Sequence, residues 1–290
     1  MPPIPSRPSP LANPRIVLYV QTHHSPNDEY HSLIPLLEHP CGVTHVIVAA
    51  IHVNSDPNGL TLNDHPPTHE KYTQLWDEVV VLQDNGIKVL GMLGGAAKGS
   101  FARLDRGEQS DGNPVLFESY YGPLRDMIRQ FGLNGLDLDI EEEMSLGGVT
   151  HLISRLRADF GPEFIITLAP VATALMEGRP HLSGFNYKWL EAVQGNNIAW
   201  YNTQFYCGWG GIHNTDAYDE IMRNQWPPEK VVVGMLTNPR HAASGYVPLE
   251  WTSSVLSVLM EKYPGFGGVV SRVPLLRQST VLRYICEHVG

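Results

Sequence analysis

Apolar and polar positions along the chain sort into two alternating kinds of segment. Short, nearly continuous β-prone runs occupy residues 15–21 (RIVLYVQ), 43–53, 87–93, 133–141, 164–170, 197–206, 230–236 and 265–270. Between them lie stretches with helical periodicity, at 28–37, 68–85, 114–131 and 148–160, with further ones beyond. Gly132 follows one helical stretch as a C-cap, and Gly161-Pro162 closes another. Runs that are apolar throughout belong to a sheet covered on both faces. Eight strand–helix units without an internal boundary predict an α/β fold, a single (β/α)8 TIM barrel over residues 15–290 with no large inserted domain. Such a barrel keeps its chemistry at the C-terminal ends of its strands.

Composition narrows the function. The chain has 290 residues, 42% hydrophobic and 17% charged, with a formal net charge of −10 spread along its length. That balance argues against nucleic acid or an anionic membrane as partner, since phosphates demand clustered Lys and Arg. No apolar run approaches the roughly 18 residues of a membrane span. Neither GxGxxG nor GxxxxGK[ST] follows the first strand, so no phosphate loop is expected. Cys41, Cys207 and Cys286 show no metal spacing and read as free buried thiols. Residues 1–14 are proline-rich without an apolar signal core and read as a disordered lead-in. The expectation is a cytoplasmic monomer, with secretion as the alternative.

The segment most telling of chemistry is Leu133-Asn134-Gly135-Leu136-Asp137-Leu138-Asp139-Ile140-Glu141. As a strand it turns Asp137, Asp139 and Glu141 to one face and Leu136, Leu138 and Ile140 to the other. Three ionised carboxylates on one interior face repel strongly, so at least one should hold a proton near neutral pH and serve as a general acid. The competing reading is a strand end whose acids bind a metal or cap the next helix, a role open to Glu142 and Glu143. His23, His24 and His52 sit at the ends of the first two strands, where they can bind substrate hydroxyls. They have no third partner at metal spacing, and neither metal nor cofactor is expected.

LNGLDLDIE fits at all nine positions the active-site pattern of glycoside hydrolase family 18, the chitinases and endo-β-N-acetylglucosaminidases, with Asn134 an allowed variant. It also falls on the fourth strand, where the family carries it. MLGG (Met92–Gly95) resembles the family's SxGG with Met92 in place of Ser, TLAP (Thr167–Pro170) resembles its fifth strand, and NTQFY (Asn202–Tyr206) its sixth. ITLAPVA and WYNTQFYCGWG look closest to small fungal endo-β-N-acetylglucosaminidases.

The resemblance implies substrate-assisted catalysis, in which the sugar's own N-acetyl carbonyl attacks the anomeric carbon. Glu141 would be the proton donor, and Asp139 would orient the acetamido group. Asp137 would share a proton with Asp139, and Tyr206 would donate to the acetamido oxygen. Gln204, Asn202, Tyr19 and Trp209 are candidate substrate contacts. Gly94 and Gly95 give a close-approach loop that admits a sugar, or only a βα turn. The implied substrate is the GlcNAc-β-1,4-GlcNAc core of N-glycans, with chitin, cut by a small shallow-cleft enzyme, as the alternative. A lectin on the same barrel is the second alternative, opposed by the presence of Glu141. One departure stands out: the eighth strand reads Gly267-Gly268-Val269-Val270-Ser271-Arg272, without the Trp on which the family stacks the −1 sugar. Trp209, Trp200 and Tyr19 are available to replace it.

Overall fold

The computed structural model describes residues 14–38, 42–105 and 114–272. Most of the lead-in, Cys41, Cys286 and any helix after the last strand lie outside the described residues.

Eight strands form the barrel: β1 (Arg15–Val20), β2 (His45–His52), β3 (Lys88–Gly94), β4 (Gly135–Asp139), β5 (Ile165–Leu168), β6 (Trp200–Gln204), β7 (Val231–Met235) and β8 (Gly268–Arg272). Each pairs in parallel with its sequence neighbours, and β8 pairs with β1, so the sheet closes. Closure leaves no free edge along the barrel. A two-residue strand, Thr61–Leu62, adds antiparallel to the end of β2. The helices are α1 (Pro35–Glu38), α2 (Thr73–Asp84), α3 (Ser100–Leu104), α4 (Pro114–Gln130), α5 (Leu146–Phe160), α6 (Tyr187–Gln194), α7 (Asp216–Arg223) and α8 (Leu249–Lys262). Between β7 and β8 lie a 3₁₀ turn and α8, with no added domain.

Strand alternation separates two apolar clusters. Leu136, Leu138 and Ile140 join the layer between sheet and helices, while Val17, Ile47, Leu90, Trp200, Val232 and Val270 fill the barrel lumen. The lumen cluster plugs the barrel below the acidic positions of β4, so the chemistry is confined to the C-terminal mouth.

Several strands are shorter than expected, and two further differences concern the helix at 28–37 and the last strand. The helix expected over 28–37 is reduced to the single turn of α1. Glu78, buried on α2, accepts hydrogen bonds from the Leu33 amide at 2.6 Å, Ser32 Oγ at 2.9 Å and the Tyr30 hydroxyl at 3.0 Å. These long-range bonds to a buried carboxylate displace the intrahelical ones. The last strand starts at Gly268 rather than residue 265 and runs through Arg272.

Candidate active site

β4 delivers Asp137 and Asp139 to the lumen side at increasing height, and Glu141 follows two residues beyond the strand's end, where the strand expected over 133–141 has already stopped. Asp137 is fully buried and accepts three hydrogen bonds: from the Tyr19 hydroxyl at 2.6 Å, Thr167 Oγ1 at 2.6 Å and Asn202 Nδ2 at 2.9 Å. Burial pushes its carboxyl above the usual range, and the three donors oppose that shift. Asp139, 8% exposed, is pushed well above the ordinary range by burial first, then by the charges of Glu141 and Asp137. Glu141 stands higher and half-buried at the mouth.

Gln204 joins the two upper acids. Its amide nitrogen lies 3.0 Å from Asp139 Oδ1, 3.3 Å from Glu141 Oε1 and 2.9 Å from the Ala169 carbonyl. Two amide hydrogens serve three acceptors, so Asp139 and Glu141 share one donor. A proton on Asp139 relieves both the shortage and the repulsion. Tyr206 follows two residues later, and burial, then the charges of Asp139 and Glu141, holds its phenol protonated well above the ordinary range.

Surrounding loops fix these groups. Gly94 has φ +91°, and a Cβ there would lie 2.7 Å from the Asp139 carbonyl oxygen and closer still to Phe101. The Gly95 amide donates to that carbonyl at 2.8 Å. The Glu142 carboxylate accepts from the Gly99 and Phe101 amides. It therefore caps α3, after the third strand, while α5 is capped by Ser145, itself held by Asp105. On the opposite wall, Gly245 at φ +96° lies against Tyr206, where a Cβ would meet Tyr206 Cα at 2.8 Å.

A cavity of about 520 Å³ opens over the acids, lined among others by Tyr19, Met92, Gly95, Tyr206 and Trp209. The structure thus gathers Asp139, Glu141, Tyr206, Gln204, Tyr19, Gly94, Gly95 and Trp209 around one space. Asp137 lies beneath it. Asn202 also borders the space, but its amide is engaged by Asp137, and its oxygen accepts from Trp200 Nε1 at 2.8 Å. Tyr19 likewise spends its hydroxyl on Asp137. Trp200 lies at the barrel bottom, packed between the Arg15 guanidinium and the His45 ring, out of reach of a sugar. Trp226 is buried with its Nε1 on the Leu175 carbonyl. Cys207 is exposed at the cavity rim rather than buried, because Tyr206 turns the chain outward into a left-handed residue at φ 57°. Thr167 and Gly245 carry site geometry that sequence reasoning missed. Thr167 is the cross-strand register partner of Asp137. Among the described residues, no group of His, Cys, Asp and Glu can hold a metal ion.

A closed parallel barrel whose fourth strand brings acids beneath a sugar-sized cavity is an arrangement that suits glycoside hydrolysis. The chain belongs to glycosyl hydrolases family 18, whose model matches residues 15–247. The solved structure of a chitinase from Aspergillus fumigatus is 52% identical, covers 89% of this chain and 91% of its own, and superposes with a TM-score of 0.85. A fungal endo-β-N-acetylglucosaminidase of the same family is 41% identical, with 94% and 98% covered and a TM-score of 0.86. Chitinase 2 of Rhizopus oligosporus is 31% identical over 197 residues, 64% of this chain and 34% of that protein. The chain spans about a third of the length of the curated Rhizopus relatives it matches.

Proposed function

We propose that this chain hydrolyses the GlcNAc-β-1,4-GlcNAc linkage of the N-glycan core as an endo-acting, retaining, substrate-assisted enzyme. The observation that supports the substrate-assisted mechanism, common to N-glycan and chitin cleavage, is the Gln204 amide held between Asp139 and Glu141, with the Tyr206 phenol beside them. It leaves one acid at the cavity mouth for proton transfer and one below it for orientation.

The acetamido carbonyl oxygen of the −1 sugar attacks C1 as the bond from C1 to the leaving oxygen breaks. Glu141 gives its proton to that oxygen. When substrate binds, the proton that rests on Asp139 passes to Glu141, and the Asp139 carboxylate accepts from the acetamido N–H instead, which aims the carbonyl and stabilises the positive charge that grows on the oxazolinium ring. The Tyr206 hydroxyl donates to the acetamido oxygen. Water then attacks C1 from the face the leaving group vacated, losing its proton to Glu141. Two inversions give net retention. Asp137, saturated with donors, lies two residues down the same strand, and its charge helps to raise the pKa of Asp139.

A second reading, hydrolysis of chitin, is favoured by the 52% identity to the Aspergillus fumigatus chitinase. Parallel digestion of a high-mannose glycoprotein and of chitin oligomers, with products weighed by mass spectrometry, separates the two. Release of the glycan with one GlcNAc left on the protein supports the first reading. Turnover of chitin oligomers alone refutes it. Proton NMR of the first product must show the β-anomer before mutarotation, and an α-anomer would overturn the mechanism in either case.

A further inference from the structure

The ladder of β4 ends at Asp139, whose register partner is Gly94, so the sheet does not set the position of Glu141 two residues further on. Among the described residues, 140–143 make no backbone-to-backbone hydrogen bond. The Glu141 carboxylate has Gln204 Nε2, at 3.3 Å, as its donor within the protein. A proton donor must nonetheless stand within hydrogen-bond reach of the leaving oxygen, and a misplacement of about 1 Å can cost about 10²-fold in rate. Its placement has to come from outside the strand.

Two side chains supply it, one toward each neighbouring strand. Toward β3, the Glu142 carboxylate accepts from the Gly99 amide on both oxygens, at 2.8 and 2.9 Å, and from the Phe101 amide at 2.8 Å. Toward β5, Ser183, 2% exposed, donates its hydroxyl to the Ile140 carbonyl at 2.8 Å and accepts from the Tyr187 hydroxyl at 2.9 Å. The Ser183 carbonyl also accepts from the Met144 amide at 3.1 Å. Gly184, at φ +77°, presses so closely on the same segment that a Cβ there would lie 3.1 Å from Glu143 Cα. We infer that Glu142 and Ser183 are positioning residues for the proton donor: they fasten the residues immediately after and before Glu141 to two different loops, and so fix the height and aim of its carboxyl.

Those two loops also wall the cavity over the acids. The turn after β3 contributes Gly95, Ala96 and Ala97, and the loop after β5 contributes Leu182. The donor is therefore tied to surfaces that meet the sugar. Asp139 is held separately, by the ladder, by Gln204 on its carboxyl and by the Gly95 amide on its carbonyl. Loosening either tie should move the proton donor and leave the group that orients the acetamido in place. A carboxylate suits position 142 because both of its oxygens accept. A Gln there keeps one accepting oxygen and turns an NH2 toward a backbone amide.

This inference deepens the assignment of Glu141 above and rests on it, and the leaving group tells the two apart. A sugar needs a proton to depart, whereas 2,4-dinitrophenolate leaves without one, and kcat/KM reports the steps up to that departure. Each variant is assayed on the substrate wild type cuts, chitin oligomer or oligomannose glycopeptide, and on the 2,4-dinitrophenyl β-glycoside of the same glycon. In Glu142→Ala, kcat/KM should fall at least tenfold on the sugar-leaving substrate and stay within threefold on the dinitrophenyl one. Glu142→Gln should fall between wild type and Glu142→Ala. Ser183→Ala loosens the opposite side and should show the same selective loss, which keeps the test decisive if Glu142→Ala folds poorly. Equal losses on both substrates in the two alanine variants mark a general disturbance and overturn the inference, as does full activity on the sugar-leaving substrate in both. Glu141→Gln, run alongside, should show the same selectivity with a larger loss. If it alone loses activity, the positioning role fails and the proton donor stands. If it keeps full activity, the proton-donor assignment fails and the inference falls with it.

Discussion

Replacing Asp139 with Asn should make the protein more stable and less active, with the stability gain growing as pH rises. Gln204 Nε2 lies 3.0 Å from one acid and 3.3 Å from the other. Asp139 Oδ1 and Glu141 Oε1 are therefore at most about 6 Å apart. Two full charges at that separation repel by roughly 2–3 kcal/mol at an effective dielectric constant of about 20. Asp137 below and burial itself add to the cost of ionising Asp139. The wild-type protein avoids part of this by keeping Asp139 protonated, which is why its folded pKa lies well above the ordinary value.

The sign of the pH effect follows. Between the ordinary value of about 4 and the raised folded value, the native state binds more protons than the unfolded chain, so stability falls as pH rises. The carboxamide of the Asp139→Asn variant has no such proton to lose and can still accept from Gln204. Near pH 4 the two proteins should melt alike. At pH 8 Asp139→Asn should gain about 2 kcal/mol, a Tm higher by about 2–4 °C per kcal/mol in a domain approaching this size. Scanning calorimetry from pH 4 to pH 8 reads the divergence. Glycan release should fall by orders of magnitude in the same variant, because the charge that stabilises the oxazolinium is gone, while transfer from an added sugar oxazoline persists. A constant Tm difference across pH, or a variant that hydrolyses like wild type, refutes the coupling and the role of Asp139.

Three further outcomes follow from the site. Glu141→Gln keeps the shape of the proton donor and should lose ~10²–10⁴ in kcat with sugar binding retained, as steady-state rates and a competitive thiazoline titration would show. Trp200→Phe removes the donor to Asn202, leaving a buried acceptor unpaired at a cost of about 1–3 kcal/mol. It should lower Tm in calorimetry and reduce kcat more than it changes KM, since Trp200 acts on Asp137 through Asn202 and never meets the sugar. Gly245→Ala strains a left-handed residue and presses a Cβ into Tyr206. Its kcat/KM should fall at least tenfold, and an unchanged value would show that the 244–245 segment does not position the phenol.

What sequence reading recovers here is what depends on local periodicity. Alternation along 133–141 separates the acids from Leu136, Leu138 and Ile140, and the two sets fall in different layers. The barrel follows from eight such runs. What it misses depends on register and on distant partners. Nothing near Thr167 reveals that it faces Asp137 across the β4–β5 pairing. Nothing near residue 30 reveals that Glu78, 48 positions later, will take its hydroxyl and dissolve an expected helix. Trp200 shows the same limit from the other side. A tryptophan two positions before a strand's polar pair looks available to a sugar, but strand direction puts it below Asn202, at the closed end of the barrel.

The eighth strand shows how register and chemistry combine. Its end places Val270, Ser271 and Arg272 on the cavity wall where family 18 proteins usually have a stacking Trp. The groups proposed to move protons and hold the acetamido group come from β4, β6 and the residues just after them, and among the described residues Gln204 ties the acids to one another and to Ala169 rather than to β8. Loss of the aromatic floor therefore removes area that touches the sugar in ground state and transition state alike. Interactions of that kind raise KM when lost and leave kcat largely in place. Arg272 borders the cavity over the acids, and burial lowers its pKa without removing its charge at neutral pH. A guanidinium there offers five donors to hydroxyls where a Trp would offer one and a face. The eighth strand thus presents a charged hydrogen-bond donor, in place of a stacking face, on the wall of the cavity over the acids.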